Sequence, residues 1–153
     1  MGMTDMGALG DKILRCLERH LLEVLKQGAM ECEVMLRNRT QDVSFHNITG
    51  NLRSSLGTAV YDHGKTYFQS QFSVIMNGTE GSAKGKSMVS QLASQYADCV
   101  ALVILAAEDY ASDVEDRDSK DVISSVTIHS EQKVQGWIQQ GIDKACKEIN
   151  SWK

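Results

Sequence analysis

The sequence predicts an α+β fold, with helices packed on an antiparallel sheet of three or more strands. Three observations carry it. Apolar residues step by three and four in long stretches near both ends of the chain. Apolar and polar residues alternate from Thr66 to Asn77. Nine consecutive apolar residues run from Cys99 to Ala107.

Residues 1–10 hold three Met and three Gly and are expected as a flexible start. Residues 11–153 are expected to form a single domain. A long first helix is predicted from residue 11 to about 38. Its stripe is Leu14, Leu17, Leu21, Val24 and Gly28, continued by Met35 and widened by Ile13, Leu25, Cys32 and Leu36. Gly28 weakens its middle by about 1 kcal/mol relative to Ala. Residues 39–51 read as a polar loop. Residues 56–76 then read as an antiparallel hairpin that turns at Asp62-His63-Gly64-Lys65, where Gly accepts a positive φ cheaply. In its second strand Phe68, Phe72, Val74 and Met76 share one face.

Residues 77–87 are rich in Gly and Ser and read as a loop. Met88, Leu92 and Tyr96 mark a short helix. The apolar run 99–107 predicts a strand covered on both faces or buried at the centre of the sheet. Residues 108–121 contain seven acids and two bases and are expected as an exposed loop. The last helix is predicted over 122–150 and packs on the sheet. Its stripe is Val134, Ile138, Ile142, Ala145, Ile149 and Trp152, with Trp137 beside it.

A chain of 153 residues suits one core. Its hydrophobic share of 42% and charged share of 24% are globular values, which excludes disorder and fibrous classes. Net charge is −4, and no segment carries the basic excess of a dedicated nucleic-acid binder or an anionic-lipid binder. A membrane-spanning helix needs about 20 apolar residues, far more than the longest run here. Residues 1–9 lack the basic-then-apolar order of a secretory signal, so a cytoplasmic origin is expected. The four cysteines, at 16, 32, 99 and 146, form no C-x-x-C pair. They are expected as reduced thiols, with no metal and no cofactor.

Motifs of catalysis fail on inspection. Gly81-Ser82-Ala83-Lys84-Gly85-Lys86-Ser87 imitates a phosphate-binding loop, but Glu80 stands where the first Gly is required and would repel phosphate. The acids Asp113, Glu115, Asp116, Asp118 and Asp121 do not fit the calcium loop in either register, because Arg117 or Lys120 falls at a ligand position. The histidines, at 20, 46, 63 and 129, form no known ligand pair, and no G-x-S-x-G is present. No catalytic residues are expected.

Two stretches carry a resemblance. The first is Thr49-Gly50-Asn51-Leu52-Arg53-Ser54-Ser55-Leu56, and the second is Tyr110-Ala111-Ser112-Asp113-Val114-Glu115. They resemble the T-G-x-L-R-x-S-I and Y-A-x-x-V-E motifs of the head–tail joining, or tail-completion, proteins of long-tailed phages and prophages. The order of elements agrees over roughly residues 11–150. The family usually has a Gly soon after the Glu, whereas here Asp116-Arg117-Asp118 follows. The motif residues Thr49, Gly50, Leu52, Arg53, Ser55, Tyr110, Ala111, Val114 and Glu115 are the expected structural or interface positions. Arg53 is expected to pair with Glu115.

The resemblance implies a virion building block without catalysis, made in the host cytoplasm. It implies a ring of six or twelve copies that joins head connector and tail, or completes the tail end. Partners would be further copies of the chain and connector or tail-tube proteins, with DNA passing through only non-specifically. Candidate contact patches are residues 77–87, residues 108–121 and the open edge of the hairpin. The competing expectation is a small cytoplasmic adaptor module unrelated to phage.

Overall fold

The computed structural model describes residues 3–38, 50–118 and 121–152. One sheet holds β1 (Leu56–Asp62), β2 (Lys65–Gln69) and β3 (Val100–Ala106) in the order β2-β1-β3, with both pairings antiparallel. The helices are α1 (Met3–Arg37), α2 (Asn51–Ser54), α3 (Thr79–Leu92), α4 (Ala111–Asp118) and α5 (Ser124–Asn150). The protein is thus α+β. Side chains alternate across β1. Leu56 and Val60 face α1 and α5, among Leu22, Leu25, Cys32, Val126 and Trp137. Ala59 and Tyr61 face α3, among Phe72 and Val89.

Residues Leu56–Tyr61 are all buried, so the central strand is β1. β3 is covered on both faces, as its unbroken apolar run implies, but it is an edge strand and mostly half-buried. The turn between β1 and β2 has positive φ at His63 and Gly64, the shape its sequence predicts.

The second strand ends at Gln69, well short of residue 76. Phe72 takes a φ of 49° and drops its ring between two glycines. A Cβ on Gly57 would lie 2.5 Å from that ring, and one on Gly85 would lie 2.2 Å from it. Burial of a whole phenyl ring outweighs the strain of a left-handed residue. Val74 and Met76 are therefore exposed and do not continue its face.

Residues 79–87 are helix, the first part of α3, where the composition suggests a loop. Gly81 and Gly85 are four apart and so lie on one side of it. That side meets the backbone of Asn51 and the Phe72 ring. Part of the acidic stretch is helix as well, as α4.

α1 begins at Met3, inside the expected flexible start, and its residues 5–10 are exposed. Its buried line runs through Cys16, Leu22, Val24, Leu25, Ala29, Cys32 and Leu36, while Leu14 is exposed. Gly28 is a seat for Trp137, since a Cβ there would lie 2.7 Å from the indole. In α5 the buried line is Val126, Trp137, Gly141 and Ala145, so Ile138 faces outward.

Candidate functional site

The two motif segments meet at one corner, beside the end of β3. Gly50 opens the corner in the left-handed region at φ 84°, and a Cβ there would lie 1.9 Å from the Ile75 carbonyl. Only glycine fits that turn. α2 is a single turn, closed by the Ser54 N–H donating to Gly50 O at 2.9 Å. Leu52 enters the cluster of Leu36, Leu56, Val122 and Val126. Ser55 Oγ donates to Leu52 O at 2.7 Å. Arg53 is 4% exposed and donates to Leu36 O at 3.4 Å. Thr49 lies outside the described residues.

From the second segment, Ala111 and Val114 pack on the same cluster. Tyr110 is exposed. Glu115 reaches the start of α5, where one carboxylate oxygen accepts the N–H groups of Val122, Ile123 and Ser124 at 2.9, 2.8 and 3.1 Å. It also accepts the Ser124 hydroxyl at 3.0 Å. The residue preceding α5, Ile123, has no capping side chain, so the cap comes from outside the helix: Glu115 takes the Ser124 amide, and Asp121 Oδ1 accepts the Ser125 N–H at 3.1 Å. Burial pushes the Glu115 carboxyl up, but these donors outweigh it and hold the group below the usual carboxylate range. The expected ion pair between Arg53 and Glu115 is not seen among the described residues: Arg53 donates to Leu36 O at the end of α1, and Glu115 accepts the amides at the start of α5.

A cleft of about 270 Å³ lies against this corner, lined by Glu108, Asp109, Ser112 and Glu115 over an apolar floor. Glu108 is 5% exposed. Its Oε2 accepts from Lys84 Nζ at 2.8 Å, and its Oε1 has no partner among the described residues. Lys84 also meets Glu80 at 3.2 Å. These two carboxylates, Glu108 foremost, raise the Lys84 pKa. The lysine of the phosphate-loop lookalike therefore neutralises a buried acid.

A second polar cluster stands at the far end of α5. Cys16 and His20 of α1 approach Glu148 of α5, and Arg19 bridges both Glu148 oxygens at 2.5 Å. The sequence signal was the spacing of four between Cys16 and His20. Glu148 was hidden because it comes from a distant helix.

No family model, curated protein or solved structure matches this chain. Among the described residues, no helix is long and apolar enough to cross a membrane.

Proposed function

We propose that this chain is a non-catalytic building block of a phage or prophage particle, placed where head meets tail or where the tail is completed. It works by assembling into a ring of six or twelve copies, in the host cytoplasm first and then in the virion. One observation supports this reading beyond the motifs themselves. Segments far apart in sequence, 50–56 and 110–115, share one apolar cluster, in which Leu52 and Leu56 meet Ala111 and Val114. The two stretches that carry the resemblance thus belong to one structural unit, which supports reading them together.

A head-to-tail ring needs two different patches on each copy. The first is the apolar side of the start of α1, where Met6, Leu9 and Leu14 are exposed within less than half the helix circumference. The second is a groove of about 260 Å³ between β3 and α5, lined by Leu25, Val100, Leu102, Val134, Trp137 and Ile138. An amphipathic helix laid in an apolar groove is a recurrent recognition mode.

Native mass spectrometry of the purified chain, alone and with connector or tail-tube proteins, tests the reading. Masses of six or twelve copies are expected, and the same stoichiometry in particles. Leu14→Asp should abolish the ring and leave the helical content intact. A chain that stays monomeric with every such partner, and is absent from particles, overturns it.

A further inference from the structure

Cys16 and His20 stand about one turn apart on α1, a spacing that places two side chains on one face. Glu148 reaches them from the last turn of α5. The Cys16 Sγ, a His20 ring nitrogen and a Glu148 oxygen all lie within 4.8 Å of one another. His20 Nε2 is 2.6 Å from Glu148 Oε2. Thiolate, imidazole and carboxylate are donors that zinc accepts, whereas calcium and magnesium take oxygen ligands. With Zn–S near 2.3 Å and Zn–N or Zn–O near 2.0 Å, ligand atoms around a tetrahedral zinc stand roughly 3–4 Å apart. This cluster reaches that spacing by side-chain shifts of about 1 Å.

The location also favours a cation. The cluster sits at the C-terminal end of a helix of 27 residues, where the macrodipole and the last carbonyls are negative. Cys16 Sγ points at Ala145 O, 4.0 Å away. Beside it, Lys12, Arg15 and Arg19 line a cleft of about 220 Å³ with Cys16, Glu148 and Trp152. Arg19 Nη2 lies between the ligands, 2.5 Å from Glu148 and 3.7 Å from Cys16. Its side chain is 57% exposed, so it can swing into water.

We infer that Cys16, His20 and Glu148 form a three-ligand site for a divalent ion of the zinc class, which displaces the Arg19 guanidinium and ties α1 to α5. On binding, the Cys16 thiol releases its proton to solvent and the His20 imidazole ligates in its neutral form. The fourth position opens on the cleft, where Lys12 and Arg15 favour water, hydroxide or a small anion. This site is independent of the ring reading.

The test is a cobalt(II) titration of the full chain after chelator treatment. A thiolate-to-cobalt charge-transfer band is expected at one equivalent, together with the visible bands of a tetrahedral site, and one equivalent of zinc should abolish both. Zinc should also raise the melting temperature. Cys16→Ser, or His20→Ala and Glu148→Gln should the first not fold, must lose the band. The triple variant Cys32→Ser, Cys99→Ser and Cys146→Ser must keep it. Arg19→Ala, which removes the competing cation, should bind more tightly. A folded wild type without the band reduces the cluster to an ion pair and overturns the site. A band that survives Cys16→Ser assigns the metal to another cysteine and overturns it equally.

Discussion

Helices α3 and α5 look alike in two respects. Each carries two interior glycines, Gly81 and Gly85 in one and Gly136 and Gly141 in the other, and neither has a capping side chain at its own N-cap. In space they differ. Both α3 glycines are contact points, since a Cβ would lie 1.9 Å from the Asn51 carbonyl at Gly81 and 2.2 Å from the Phe72 ring at Gly85. In α5, a Cβ on the buried Gly141 would lie 3.0 Å from the Val24 side chain and 3.3 Å from the Leu21 Cα, a tight contact but without the overlap of the α3 pair, and a Cβ on Gly136 would meet nothing within 4 Å. The starts differ as well. Asn51 Oδ1 accepts the Gly81 N–H at 3.1 Å, whereas at the start of α5 the amides of Val122, Ile123 and Ser124 converge on Glu115 and that of Ser125 goes to Asp121 Oδ1. A glycine in a helical stretch therefore has no fixed meaning, and its effect is set by the partner that its missing side chain admits.

The comparison sharpens first at the large groups that depend on such seats. Trp137 is 9% exposed and rests on Gly28. Trp137→Ala should destabilise by about 3–5 kcal/mol in urea denaturation. A loss below about 1 kcal/mol would mean that α5 is held elsewhere. Gly81→Ala comes next, at about 3 kcal/mol, because the obstacle is backbone and cannot rotate away. Were its effect close to zero, the contact between α2 and α3 would be loose, and the α3 half of the comparison would fall.

Glu115→Gln probes the cap of α5. The group is partly exposed, so the expected loss is about 1 kcal/mol, the usual worth of a cap. Its folded pKa lies below the unfolded one. Its contribution is therefore complete above the ordinary carboxylate range and fades as pH falls below about 4. The stability gap between wild type and Glu115→Gln should be widest near neutrality and narrow in acid. An unchanged gap at pH 3 and pH 7 would assign the cap to shape and not to charge.

These contrasts also mark what was legible. Both long helices follow from periodicity, β3 from its unbroken apolar run and the turn after β1 from Gly64, all signals that neighbouring residues create by themselves. The helix over 79–87 does not, because Gly81 and Gly85 answer to Asn51 and Phe72 and have no pattern of their own. The end of β2 at Gln69 was hidden for the same reason: alternation persists to Met76, but the slot for Phe72 lies on β1 and α3. Gly50, Leu52 and Ser55 sit in and around the single turn of α2, which periodicity does not display. Glu115 was assigned a side-chain partner, since spacing displays side chains and never the unpaired amides of a helix start. Cys16 and His20 were not read as a pair, although they stand four apart, because their third neighbour, Glu148, lies 128 residues beyond His20.

The smallest expected effect has the opposite sign. Gly136 lies in the interior of α5 on an exposed face, and nothing stands where its Cβ would go. Replacing it with Ala removes backbone freedom from the unfolded chain and adds no contact to the folded one. Gly136→Ala should therefore stabilise by about 0.5–1 kcal/mol, visible as a higher urea midpoint at unchanged slope. The same substitution at Gly81 should lower the midpoint, so the pair turns one chemical change into two opposite readings. If Gly136→Ala destabilised instead, that face of α5 would be occupied in solution. If the proposed ring forms, a loss that grows with protein concentration would then mark Gly136 as part of a subunit contact.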